Sequence, residues 1–309
     1  MTYSYSSLPS GISARIRELE HLYRIHVVDS SAMMAEFLAN ADEIEALVEE
    51  RTALRIKDLK VLDVGCGQQL KLAQYFAMKG NDVTGIDYNA VPMGLDLPGY
   101  CRLARTNGPV RVIKTLGRKM LGADARFSRD LLHANAGAEL RPVAALQMDA
   151  ERMSFEDALF DFIYSRSVFE HLEHPDRVLY EIQRVLKPGG VAHIGLHLYT
   201  CDSGAHDPRV LSGNRAPVPM WAHLRPEHAE IVQPNSYLNQ CRLQDWRELF
   251  ARFLPGSYVH LHQRGRAEYG PALQALRACG ELVGYSDDEL LTDEVVAVWR
   301  KPGDQDGKS

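Results

Sequence analysis

Asp63, Gly65, Gly67 and Asp87 are the residues of this 309-residue chain whose types and spacing could hold a nucleoside ligand. In Asp63-Val64-Gly65-Cys66-Gly67 the glycines let backbone come close to a ligand and leave N–H groups exposed at a helix start. Asp87 follows Gly67 by 20 positions, where a carboxylate accepts hydrogen bonds from ribose hydroxyls. Asp63 would repel a pyrophosphate; just ahead of a glycine turn it suits a cationic group instead. A second set is made of imidazoles. His171 and His197 could act as the general base that a hydroxyl nucleophile needs, with Tyr199 and His206 as further candidates. Each has a competing structural role: helix entry or packing for His171, and a buried, hydrogen-bonded ring in line with His193 and Gly195 for His197. His206, His223 and His228 match no compact ligand spacing, so no metal is expected.

The elements that must position these residues are legible from periodicity. Val61, Leu62 and Val64 form a short apolar strand that Gly65-Cys66-Gly67 breaks. Leu72 with Phe76 and Ala73 with Ala77 then repeat at helical spacing, and Gly80 stands where a C-terminal cap belongs. A second strand over 83–86 ends on Asp87. Strand, turn, helix, strand and acid together make a nucleotide-binding half of a doubly wound sheet. Further strands are predicted over 143–147, 160–164, 191–198, 257–263 and 294–300. Pro175 opens a helix with Val178, Leu179, Ile182, Val185 and Leu186 as its buried stripe. Lys187-Pro188-Gly189-Gly190 reads as a turn. Helices are also predicted over 12–26, 31–54, 243–253 and 271–279, and Ser286 with Glu289 matches a capping box.

This order of motifs resembles the class I S-adenosylmethionine-dependent methyltransferases, particularly the group called type 11. Asp63, Gly65 and Gly67 match its first motif, while Gln69 stands where the third glycine belongs. Leu70 likewise occupies the last position of a dinucleotide GxGxxG. The similarity continues through Asp149-Ala150, Ser165-Arg166, Glu170-His171-Leu172 and the Lys187–Gly190 segment. It implies an α/β, Rossmann-like, seven-stranded doubly wound sheet, mostly parallel with the last strand antiparallel. It also implies S-adenosylmethionine as cofactor and a helical N-terminal cap. Residues 1–54 are then the cap, 55–302 the methyltransferase domain, and 303–309 a disordered tail. Asp63 would meet the methionyl ammonium and Asp87 the ribose, with Asp149 against the adenine amino group. Gly65, Cys66, Gly67, Tyr88, Ala150, Ser165 and Arg166 would complete the cofactor site.

Two long connections, 90–142 and 199–240, interrupt the domain. Loops of that length carry structure of their own and often function. Residues 101–141 hold nine Arg and Lys against three Asp and Glu in a chain of net charge −6. Placed beside the cleft, they would attract an anionic acceptor, with Arg118 and Lys119 on a moving lid; a solvated helix face is the plainer reading. The acceptor expected is an oxygen on a small-molecule, sugar or lipid-linked intermediate. Net negative charge argues against a general nucleic-acid binder. Five cysteines without a CxxC, and no apolar run long enough for a membrane span, fit a cytoplasmic chain. Two alternatives are a catalytically silent S-adenosylmethionine-binding protein and a nicotinamide oxidoreductase, the latter disfavoured by Asp63 and the missing GxGxxG.

Overall fold

The structure, a computed structural model, describes residues 30–89, 96–120, 122–135 and 138–303. One seven-stranded sheet has the order β3-β2-β1-β4-β5-β7-β6. Its strands are β1 Lys60–Val64, β2 Asp82–Asp87, β3 Ala144–Gln147, β4 Phe160–Arg166, β5 Leu186–His197, β6 Tyr258–His262 and β7 Glu294–Arg300. Pairing is parallel from β3 through β5, and β7 runs antiparallel to both β5 and β6. The strand order reverses between β1 and β4, so the carboxyl ends of these two strands flank the crevice where open α/β sheets bind ligands.

The helices are α1 Ser30–Thr52, α2 Lys71–Met78, α3 Leu97–Asn107, α4 Pro109–Met120, α5 Ala123–Ala134, α6 Pro175–Val185, α7 Pro208–Leu211, α8 Leu243–Phe253, α9 Arg266–Ala278 and α10 Asp287–Leu291. Side-chain alternation along the strands separates two apolar layers. Leu62, Val64, Ile163, Ile194 and Leu196 meet Val178 and Ile182 of α6 and Trp246 and Phe250 of α8. Val61, Phe162, Tyr164, Val191 and Val298 meet Ile44 and Val48 of α1, Phe76 of α2 and Leu131 of α5. Each such side chain contributes about 1.5–3 kcal/mol by leaving water. No described helix is long and apolar enough to cross a membrane.

Several boundaries differ from those the sequence suggests. The connection 90–142 is chiefly three helices, α3 to α5. The turn expected at Lys187–Gly190 is carried inside β5 instead. Gly189 N–H donates to Lys301 O at 2.9 Å and Lys301 N–H to Gly190 O at 2.9 Å, while the β4 register shifts between Phe160 and Phe162. Those partners lie over a hundred residues away, so the local sequence reads only as a turn. Helix α9 begins at Arg266 and keeps Pro271 inside it; its start is set by Glu268 and Tyr269 N–H donating to Gly265 O. The Ser286–Glu289 capping box is present. The helix expected over 12–26 and the tail from 304 lie outside the described residues.

Candidate active site

The glycine turn is built as its composition demands. Gly65 and Gly67 have φ of +83° and +62°, the left-handed region that favours glycine. A Cβ on Gly65 would fall 2.2 Å from a Val168 methyl, whereas one on Gly67 would meet nothing. Asp87 fastens the turn from below. Its Oδ2 accepts the Gly67 N–H at 3.1 Å and its Oδ1 the Asn89 N–H at 2.8 Å. Beside it, Asn89 Oδ1 is buried without a partner among the described residues. An unsatisfied acceptor next to a carboxylate suits the hydroxyls of a ribose.

Asp63 is 4% exposed and accepts a 2.7 Å hydrogen bond from the Tyr164 hydroxyl. Burial pushes its carboxyl up to about 7, against the Tyr164 bond and with help from the charge on Asp87. A cation arriving here would turn it back into a carboxylate. Cys66 is buried, and its thiol is pushed well up by burial and then by Asp63 and Asp87, which makes it packing rather than a nucleophile. Asp149 is exposed just beyond β3, with Oδ1 taken by the Glu151 N–H at 2.9 Å. Tyr88 is exposed and Ala150 half-buried.

Ser165 and Arg166 do reach the carboxyl end of β4, but their side chains are engaged elsewhere. Ser165 is fully buried and its hydroxyl donates to Val64 O at 2.9 Å, tying β4 to β1. Arg166 pairs with Glu294 at 3.2 Å on the α1 side of the sheet.

Gln69, the departure from the glycine motif, has a structural partner. Its Nε2 donates to Asp124 Oδ1 at 3.1 Å, and Arg118 Nε donates to the same oxygen at 2.9 Å. Arg118 Nη2 also reaches Gln68 O at 3.3 Å. The insertion is therefore joined to the glycine turn through Arg118. Lys119 lies 5.5 Å from the centre of the Tyr100 ring.

The histidines gather at the ends of β4 and β5. His171 closes a 3₁₀ turn, Phe169–His171. Its Nδ1 lies 2.8 Å from Tyr237 O. A carbonyl only accepts, so Nδ1 carries the proton and Nε2 keeps a lone pair. His197 is differently committed: its Nε2 lies 2.9 Å from Ser203 Oγ and 3.1 Å from Cys201 Sγ. His206 sits between the two, edge-on, with ring centres 5.0 Å from His171 and 4.8 Å from His197. Its Nε2 is buried without a partner among the described residues.

Burial lowers all three histidines, and the neighbouring rings add to the effect on His206, pushed down to about 3. The row is therefore uncharged at neutral pH. Behind it Glu170, 2% exposed, accepts the His197 backbone N–H at 3.3 Å through Oε1, and its Oε2 is without a partner among the described residues. Burial pushes its carboxyl up to about 7. Among the described residues no group of three or more His, Cys, Asp or Glu could hold a metal ion.

The segment 199–240 positions His206 through its own polar anchors. Asp202 holds Arg215 at 2.8 and 3.0 Å, and Asp207 holds Arg209 and the Gln233 N–H. Asn239 Nδ2 then donates to Phe169 O and Leu172 O, closing the segment over the His171 turn. In sequence Glu170 is only part of the Glu170-His171-Leu172 motif. Its signal was an acid adjoining the candidate base, but burial, which gives it its chemistry, is a tertiary property.

A family model described as a methyltransferase domain matches residues 34–252. The chain belongs to that family and is a class I S-adenosylmethionine-dependent methyltransferase. A ubiquinone biosynthesis O-methyltransferase of Pseudomonas aeruginosa is 29% identical over 143 residues, 46% of this chain and 45% of the relative. The match thus spans less than half the length of that relative. A sterol 4-C-methyltransferase of Caenorhabditis elegans is 48% identical over 42 residues, 14% of this chain and 13% of that one. Among solved structures, a Haemonchus contortus phosphoethanolamine N-methyltransferase in complex with S-adenosyl-L-methionine is 16% identical, with TM-score 0.46 over 84% of this chain and 52% of that chain.

The latch offers a direct test of how the insertion serves the cofactor turn. Asp124→Ala is expected to cost about 1 kcal/mol, a fall of a few degrees in Tm, because the pair is partly open to water. It should also weaken S-adenosylmethionine binding several-fold by freeing Gln69 and Arg118. Unchanged Tm and affinity would show the latch to be incidental.

Proposed function

We propose that the protein methylates an oxygen of a small-molecule, sugar or lipid-linked biosynthetic intermediate, with an anionic acceptor favoured. The observation that carries this reading is the fixed tautomer of His171 within a row of uncharged imidazoles, a lone pair held ready for a hydroxyl proton. S-adenosylmethionine, when bound, supplies a methyl group already activated on sulfur. Asp63 would hold its ammonium, Asp87 its ribose hydroxyls, and Asp149 its adenine amino group. The chain's remaining task is orientation and exclusion of water, which the 199–240 segment serves by folding over the His171 turn. The name of the Pseudomonas relative supports an oxygen acceptor, and the basic excess of 101–141 supports an anionic one. Free cysteines throughout support a cytoplasmic setting.

Turnover with methyl-labelled S-adenosylmethionine and a panel of hydroxyl, amine and carbon acceptors tests the reading. Label transferred to hydroxyl acceptors, fastest for anionic ones, is the expected result. Transfer confined to amines or carbon would overturn it. Tight cofactor binding with no transfer to any acceptor would favour the silent-binder alternative.

A further inference from the structure

Among the described residues the outer face of α4 is apolar and uncovered. Ile113, Leu116 and Met120 are 67%, 40% and 87% exposed. At 3.6 residues per turn they fall within one third of the helix circumference. That stripe lies away from Thr115, which is buried, and from Arg118, which is latched to the glycine turn. Lys119 over the Tyr100 ring brings the start of α3 beside the end of α4. Leu97, 73% exposed, therefore joins the same end of the insertion as Met120. The α3–α4 stretch 97–120 is strongly basic in sequence, six Arg and Lys with no Asp or Glu, while the whole chain carries −6. A basic amphipathic helix with an exposed apolar face is the kind of surface that lies in a lipid interface. Charge selects the occupant: an anionic bilayer complements the insertion, whereas a second copy would set this basic surface against itself.

We propose that the α3–α4 face docks on an anionic lipid surface. The Arg118 contact with Gln68 ties the docking helix to the cofactor turn, so docking would bring the mouth of the site to the bilayer. The inference goes beyond the O-methylation reading and does not depend on it, since binding to vesicles is measured without turnover.

Vesicle co-sedimentation of the full chain tests it, with phosphatidylcholine alone and with phosphatidylcholine mixed with phosphatidylglycerol. The expected result is binding to the mixed vesicles that exceeds binding to neutral ones and falls with added salt. The double substitution Ile113→Ser/Met120→Ser should lower partitioning by about ten-fold or more. Its Tm and S-adenosylmethionine affinity serve as the folding control. Absence of binding to the mixed vesicles, equal binding to neutral ones, or unchanged binding by the folded double variant would overturn the proposal. So would self-association in sedimentation velocity that the same substitutions abolish, which would assign the face to a second copy.

Discussion

Asp87→Ala is expected to weaken S-adenosylmethionine binding by roughly ten- to a hundred-fold, the largest effect foreseen on the cofactor side. A lost charge-assisted hydrogen bond costs about 1.5–3 kcal/mol, and each 1.4 kcal/mol is tenfold in affinity. Beyond the proposed ribose contact, Asp87 holds the Gly67 and Asn89 N–H groups. The substitution would remove the proposed ligand contact and loosen the glycine turn as well. Wild-type affinity in a correctly folded Asp87→Ala protein, measured by calorimetry, would remove Asp87 from the site.

The same titration reads Asp63. Its carboxyl is pushed up to about 7 by burial, so near neutrality it is partly protonated. An ammonium placed against it favours the carboxylate and lowers its pKa. Binding should then release a proton, so affinity climbs as pH rises toward about 7 and levels above it. Calorimetry in buffers of different ionisation enthalpy counts that proton, and no release on binding would place the ammonium elsewhere.

His171→Gln is expected to lower turnover by about 10²–10⁴, the range for a general base, while leaving cofactor affinity near wild type. The imidazole works only while neutral, so activity falls as pH drops through its pKa. Burial lowers that pKa below the ordinary 6.5, with the Tyr237 carbonyl opposing and His197 adding. Wild-type turnover should therefore hold at neutral pH and fall only below 6.5, and His171→Gln should lose this limb. His197→Gln should act more weakly on the chemical step, because its Nε2 is already occupied by Ser203 and Cys201. A limb near 7 that vanishes in Glu170→Gln would transfer the role to that carboxylate, which burial pushes up to about 7.

The strand–turn–helix–strand unit that we propose holds the cofactor was legible in the sequence because short-range physics builds it. Strand alternation, helical spacing and two left-handed glycines place Asp63, the turn and Asp87 within a single local unit, and the capping box at Ser286 needs only its own turn. The seventh strand likewise carries its pattern within itself. The arrangement of the histidine cluster, which we propose faces the acceptor, was not legible. His171 and His197 look equivalent in sequence, and only Tyr237 and Ser203, brought in by the 199–240 segment, separate an open lone pair from a committed one. Gln69 is a motif defect until Asp124, 55 positions away, gives it a partner. Arg166 stands at the carboxyl end of β4 in sequence, and only the fold brings Glu294, 128 positions away, against its guanidinium. Backbone preference acts over a few residues, but burial and hydrogen-bond partners are set by whatever the folded chain brings alongside, so tertiary structure alone decided which of these groups remain available for chemistry.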